Sequence, residues 1–201
     1  MDGKLKNRAL IQKELEEHLQ IMQAIGEPLQ KTIADVANMM CACLEEGNKI
    51  LVAGNGGSAA DAQHFAAELV GRFTRNRKAL AAIALTTDTS ALTAIANDFG
   101  YDDVFSRQLE GLGQSGDMFL AISTSGNSAN LVKALNTAHH AAIKTVALLG
   151  KSGGSMKDIA ERSIIVPSNT TQRIQEVHEW ILHTWCACID SMIGRNERDG
   201  A

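Results

Sequence analysis

Aromatic residues are scarce in this chain. Phe, Tyr and Trp make up 4% of its 201 residues, which leaves few rings on which nucleic-acid bases could stack. A surplus of positive charge is missing as well: 19 Lys and Arg against 23 Asp and Glu give a formal net charge of −4, so no overall basic footprint awaits a polyanion. No apolar run approaches the roughly 18–20 residues that cross a bilayer. The opening Met1-Asp2-Gly3-Lys4-Leu5-Lys6 is polar and lacks the apolar stretch of an export signal. The expectation is a cytoplasmic protein with neither a nucleic-acid nor a membrane partner. Prolines number two, Pro28 and Pro167, and no Ser/Pro-rich linker or internal repeat divides the chain, so 1–201 is expected to form a single domain. Four cysteines fall in two Cys-Ala-Cys pairs, Cys41/Cys43 and Cys186/Cys188. Both pairs lie in helical-looking stretches, where residues two apart point to nearly opposite sides; that is poor geometry for chelating one metal, and buried thiols are expected.

What is present is an ordinary globular share of hydrophobic residues, 45%, arranged in two rhythms. Over residues 1–48, Leu10, Ile11, Leu15, Leu19 and Met22 recur at helical steps. A break follows near Gly26-Glu27-Pro28, and Ile33, Val36, Ala37, Met40 and Leu44 then resume the period up to Gly47. From residue 49 to about 195 the pattern changes to short apolar runs separated by helical stretches. The runs are 49–53, 81–85, 118–122, 145–149 and 163–166, with helices predicted over about 58–72 and 172–193. Near-continuous apolar strands alternating with helices predict an α/β fold, a three-layer doubly wound five-stranded parallel sheet with N-terminal helices.

Two strand-to-helix junctions carry the chemistry. Gly54-Asn55-Gly56-Gly57-Ser58 follows the first strand and Ser123-Thr124-Ser125-Gly126-Asn127-Ser128 the third. Ligands of open α/β sheets bind at the carboxyl ends of strands. Glycines let the backbone approach closely, while hydroxyls, N–H groups and helix N-termini suit a phosphate. Neither loop is a dinucleotide fingerprint, because Ala59 stands where the third glycine belongs, and neither ends in the Gly-Lys-Ser/Thr of a P-loop. His64 and Glu68, four residues apart, share a face of the next helix. On the last helix Gln175, Glu179 and His183 share a stripe. The nitrogen and oxygen donors of His64, Glu68, Gln175 and His183 would suit a divalent, zinc-like ion. Eight residues separate Gln175 from His183, about 12 Å along a helix. Either that helix bends, or the four do not engage together, or the site is assembled from more than one chain. Asn97-Asp98 could hydrogen-bond sugar hydroxyls or simply end a helix, and Arg72, Arg75, Arg77 and Lys78 read as a solvated basic loop.

Taken together, Gly54 to Ser58, Asp61-Ala62-Gln63-His64-Phe65-Ala66-Ala67-Glu68-Leu69, Asn97-Asp98-Phe99-Gly100, Ala121 to Asn130 and Arg173-Ile174-Gln175-Glu176-Val177-His178 resemble the phosphoheptose isomerases, a family of SIS (sugar isomerase) domain proteins. The resemblance implies a flavodoxin-like SIS core assembled as a homotetramer with active sites at subunit interfaces. It implies zinc on His64, Glu68, Gln175 and His183. It also implies contacts to a phosphorylated sugar from Asn55, Gly56, Gly57, Glu68, Asn97, Asp98, Ser123, Thr124, Ser125, Ser128 and Gln175. The implied reaction converts sedoheptulose 7-phosphate to D-glycero-D-manno-heptose 7-phosphate for the lipopolysaccharide core, with Glu68 and His183 as the catalytic pair. Ala81 to Leu85 and Thr93 to Asp98 also resemble a non-catalytic SIS scaffold that associates with the replication initiator, and a sugar-phosphate sensor would share the phosphate loop. A scaffold can lose Glu68 and His183, and both are present here.

Overall fold

The structure, a computed structural model, describes residues 3–193, with side chains from residue 5 onward; positions 194 and 195 of the predicted core lie outside the described residues. The chain opens with α1 (Gly3–Gln23) and α2 (Glu27–Glu45). It then alternates β1 (Ile50–Gly54), α3 (Gly57–Val70), β2 (Ala82–Ala84), α4 (Thr89–Phe99), a 3₁₀ turn (Tyr101–Asp103), α5 (Ser106–Leu112) and β3 (Met118–Ser123). It closes with α6 (Ala129–His140), β4 (Lys144–Leu149), α7 (Met156–Ile159), β5 (Arg162–Ile165) and α8 (Thr171–Met192). Pro28 sits in the first turn of α2, where its missing N–H leaves no bond unmade.

The five strands are parallel in the order β2-β1-β3-β4-β5. From β1 the chain steps outward to β2 and then crosses back past β1 to β3, so the order reverses between β1 and β3, where such sheets bind ligands. The pairing runs from Ile50 opposite Met118 to Gly54 opposite Ile122, so both strands end at the same edge. The edge strand β2 is shorter than the predicted run, yet its pairing reaches both ends: Ile50 N–H donates to the Ala81 carbonyl and Leu85 N–H to the Val52 carbonyl.

Period-two alternation divides the strands between two cores. Ile50, Val52, Met118, Leu120 and Ile122 face α2, α3 and α8. Leu51, Ala53, Phe119 and Ala121 face α5 and α6. Buried Trp185 of α8 donates its indole N–H to the Ile33 carbonyl of α2 at 2.9 Å, a polar tie inside the first core. Cys41, Cys43 and Cys186 are buried and Cys188 is half-buried, all as free thiols. α1 behaves differently: of the apolar steps that predict it, Leu10, Ile11, Leu15 and Leu19 are exposed, while Met22 packs against the first core. Besides the packing of Ile21 and Met22 on the first core, it is held to α8 by polar contacts, through the Arg173 guanidinium on the Glu14 carboxylate and carbonyl and through His18 on Glu176.

The basic loop after α3 is not uniformly solvated. The Arg77 side chain is 2% exposed and donates Nε–H to Asp190 of α8 at 2.7 Å. Its remaining N–H groups reach the carbonyls of Glu68, Leu69 and Lys78. Glu68 and Leu69 belong to the last turn of α3, whose carbonyls have no partner within the helix. Asp190 also accepts the N–H groups of Thr74 and Arg75. Burial alone would raise its pKa, but Arg77 and those N–H donors outweigh burial and hold it below the usual carboxylate value.

Candidate active site at the sheet edge

The ends of β1 and β3 open into a cleft of about 200 Å³, lined by Asn55, Ser58, Ser123, Thr124, Ser125, Ser128, Thr171 and Gln175. Ser123 is its hub. The Ser123 Oγ accepts the Gly126 N–H at 3.1 Å and stands 3.2 Å from Ser128 Oγ and 3.5 Å from Ser125 Oγ. Gly126 has φ +67°, and a Cβ there would overlap the Gly153 carbonyl, so the loop closes only because main chain lies against main chain. α3 and α6 both begin at this cleft and turn the positive ends of their dipoles toward it. The lining contains no charged side chain. Hydroxyls and N–H groups can therefore hold a dianion and still release it.

Asn55 is fixed from two sides. Its amide exchanges two hydrogen bonds of 3.0 Å with buried Asn130, and its Oδ1 accepts the Tyr101 hydroxyl at 3.0 Å. On the opposite wall, a Cβ built at Gly57 would overlap the Gln175 amide nitrogen. Gly57 thus makes room for Gln175 to lie against the start of α3.

A second constellation lies farther along the same two helices, which pack through Phe65 on Trp185. His64 Nε2 stands 2.8 Å from His183 Nε2. Glu179 Oε1 lies 3.2 Å from His64 Nε2 and 3.3 Å from His183 Nε2. Glu68 Oε1 is 3.6 Å from His64 Nε2, with its side chain 22% exposed. Asp61, one turn before His64, has a buried Oδ2 without a hydrogen-bond partner. Burial, reinforced by the charge of Glu179 and opposed by His64, pushes its pKa up to about 6.

The donor atoms of His64, Glu179 and His183 all lie within 4.8 Å of one another. Donors about 2.0 Å from a tetrahedral ion stand roughly 3.3 Å apart. The three edges of this triangle, at 2.8, 3.2 and 3.3 Å, come close to that spacing. Two imidazoles and a carboxylate also match the donor chemistry of a zinc-like ion, so these residues fit a divalent metal.

The residues singled out from sequence sort into three groups. Asn55, Gly56, Gly57, Ser123, Thr124, Ser125, Ser128 and Gln175 meet at the cleft or its rim. His64, Glu68 and His183 meet between α3 and α8, without Gln175, whose amide stays with the cleft. Asn97 and Asp98 are exposed on α4, and their hydrogen bond, 2.7 Å long, is to each other. Residues not foreseen are Asn130, Tyr101, Thr171, Asp61 and, as a member of the cluster, Glu179. Glu179 carried a usable signal, its position four residues before His183. Tyr101 and Asn130 carried none, because their roles depend on which loops become neighbours.

Comparison with known proteins agrees with this geometry. The SIS domain family matches residues 15–150. The phosphoheptose isomerase 1 of Campylobacter jejuni subsp. jejuni is 54% identical over 181 residues, which cover 90% of this chain and 97% of that protein. The structure of a phosphoheptose isomerase from Neisseria gonorrhoeae superposes with a TM-score of 0.86 at 45% identity, covering 94% of this chain and 100% of the other. That of a phosphoheptose isomerase from Francisella tularensis superposes with a TM-score of 0.89 at 38% identity, covering 92% and 98%.

Proposed function

The chain belongs to the SIS domain family and, within it, to the phosphoheptose isomerases; from that premise we propose that it interconverts sedoheptulose 7-phosphate and D-glycero-D-manno-heptose 7-phosphate. The observation that carries the reading is one arrangement: an uncharged hydroxyl cleft at the sheet edge, joined through α8 to an imidazole–carboxylate cluster. The cleft has the chemistry of a phosphate grip and the cluster that of proton transfer.

In this reading Ser123, Thr124, Ser125 and Ser128 hold the phosphate, with the main chain at Gly56 and Gly57 closing over it. Asn55, Gln175, Asn97 and Asp98 take the sugar hydroxyls. The Glu68 carboxylate removes a proton from the carbon beside the carbonyl and returns it to the neighbouring carbon, through an enediolate of the sugar. His183 passes a proton between the two adjacent oxygens, so the two neighbouring carbons exchange oxidation levels with no net gain or loss of atoms. A divalent ion, zinc by donor chemistry, supplies charge stabilisation of those oxygens when bound at the cluster around His64 and His183.

Residues 1–201 act as one SIS unit in a cytoplasmic homotetramer with active sites at subunit interfaces, and the product feeds lipopolysaccharide core heptose. The exposed stripe of Leu10, Ile11, Leu15 and Leu19 on α1 supports self-association. Among the described residues no helix is long and apolar enough to cross a membrane.

The test is incubation with sedoheptulose 7-phosphate, with and without a chelator, following aldoheptose phosphate by NMR. Turnover that Glu68→Gln abolishes while phosphate binding persists is the expected result. No product under either condition would overturn the reading in favour of a non-catalytic scaffold.

A further inference from the structure

A second loop lies behind the serine loop. It joins β4 to α7 over residues 150–155, and none of its residues lines the cleft. Its root is fixed from two sides: buried His178 of α8 donates Nε2–H to the Leu149 carbonyl at 3.0 Å, and Lys151 N–H donates to the Ser168 carbonyl at 2.9 Å. Lys151 has φ +54°, a costly conformation for a long side chain that persists only where the surroundings over-determine the backbone. At the far end Met156 is fully buried in the second core.

This fixed loop holds the serine loop by its main chain. The Gly126 carbonyl accepts the Met156 N–H at 3.0 Å and the Ser155 hydroxyl at 3.4 Å. The Asn127 amide works at both ends: its Oδ1 accepts the Ser155 N–H at 3.0 Å, and its Nδ2 donates to the Ser125 carbonyl at 3.3 Å. A Cβ at Gly154 would overlap the Gly126 carbonyl and Asn127 Oδ1, which leaves no slack between the loops.

The consequence falls on the hydroxyls. Gly126 N–H donates to Ser123 Oγ at 3.1 Å, and Asn127 N–H donates to Ser125 Oγ at 3.2 Å. A hydroxyl oxygen that accepts a main-chain N–H turns its own proton elsewhere, and the resulting chain of donors strengthens each link. On Ser125, a cleft residue, that proton is free for a phosphate oxygen. Its aim depends on the direction of the Asn127 N–H, which the Asn127 side chain fixes.

We propose that Asn127 is a positioning residue of the phosphate site: its side chain clamps the serine loop to the β4–α7 loop and so aims the Ser125 hydroxyl. The role rests on the reading of the serine loop as the phosphate grip. Asn127 is exposed and does not line the cleft, so alanine there leaves core packing untouched.

The test separates aim from fold. Inorganic phosphate is titrated calorimetrically into the full chain and into its Asn127→Ala, Ser125→Ala and doubly substituted variants, with Tm and with KM and kcat for sedoheptulose 7-phosphate measured alongside. Asn127→Ala should weaken phosphate binding about three- to tenfold, the worth of a hydrogen bond, and raise KM by the same factor with kcat and Tm nearly kept. In the Ser125→Ala background the same change should cost less than about twofold, because no hydroxyl is left to aim. Full additivity would overturn the proposal, and so would an Asn127→Ala variant that lowers Tm without moving phosphate affinity. If Ser125→Ala weakens phosphate binding and Asn127→Ala does not, the proposal falls alone. If Ser125→Ala leaves phosphate affinity unchanged, or the wild type binds no phosphate, the grip reading falls and the proposal with it. The titration needs no turnover, so a protein inactive on the heptose phosphate tests the clamp equally well.

Discussion

Replacing Asp190 with Ala removes the acceptor for four hydrogen bonds at once: Thr74 N–H at 3.0 Å, Thr74 Oγ1–H at 3.1 Å, Arg75 N–H at 3.0 Å and Arg77 Nε–H at 2.7 Å. Thr74 and Arg75 are exposed, so water can take over their N–H groups. Arg77 cannot be served in that way, because both its side chain and that of Asp190 are 2% exposed and its cation would remain buried without a counter-charge. Breaking such a pair from one side costs about 3–5 kcal/mol. For a chain of this length that corresponds to a Tm lower by about 6–20 °C. The double change Arg77→Met with Asp190→Leu removes both charges together and should recover much of the loss. The measurement is urea unfolding by circular dichroism at fixed protein concentration, with the slope m unchanged and the midpoint displaced. Because the pKa of Asp190 is held below its unfolded value, the pair's contribution is present above that unfolded value and is lost as pH falls through the lowered one. A single substitution costing less than about 1 kcal/mol, the range of an exposed pair, would refute the reasoning. So would a double variant as unstable as the sum of the singles.

Other perturbations follow from the same geometry. Gly57→Ala places a methyl group where the Gln175 amide now rests; the amide, being a flexible end, should move and KM should rise several-fold with kcat nearly kept, and an unchanged KM would remove Gln175 from the cleft. Ser125→Ala and Ser128→Ala each delete a hydroxyl from the proposed phosphate grip and should raise KM about 10–100-fold, the worth of a hydrogen bond to a charged group, an effect absent for substrates without phosphate. In the metal-free protein Asp61, raised to about 6, binds its proton more tightly folded than unfolded, so stability should fall as pH rises from about 4 through about 6. Asp61→Asn should flatten that slope by about 1–2 kcal/mol once solvent screening is allowed for, and an identical pH–Tm curve would contradict it. His178 works in the opposite sense: burial pushes it down to about 4 while its Nε2–H donates to the Leu149 carbonyl. Its contribution is therefore lost as pH falls from about 6.5 to 4, and His178→Gln should remove that acid-side loss in a thermal scan.

The parallel sheet was legible because its strands, buried on both faces, read as unbroken apolar runs such as Met118 to Ile122. The cleft at the sheet edge was legible because its parts are contiguous, five or six residues at a time, at the ends of those runs. The cluster was only half legible. Helical spacing pairs His64 with Glu68 and Glu179 with His183, but the level at which α3 meets α8 is set by packing such as Phe65 on Trp185, which no local rule contains. The same limit hid Arg77, whose neighbours in the chain are exposed and whose partner Asp190 lies 113 residues away. It hid Tyr101 too, since its hydroxyl finds Asn55 only after the 3₁₀ turn folds back over the loop beyond β1. For α1 the helical period was correct and the direction of its apolar face was not predictable, since Leu10, Ile11, Leu15 and Leu19 are exposed.

α8 runs unbroken from Thr171 to Met192, with Gln175 at the cleft and His183 at the cluster. A straight helix is a stiff object, so the interval between these residues, about 12 Å, acts as a ruler. On the proposed roles, a substrate clamped by its phosphate at one mark can present its carbonyl at the other only if its carbon chain is long enough and lies extended. Shorter sugar phosphates would be gripped equally well and would stop short of Glu68, entering as competitive inhibitors rather than substrates. Chain length would then be selected by a secondary-structure element, independently of any pocket that recognises the individual hydroxyls.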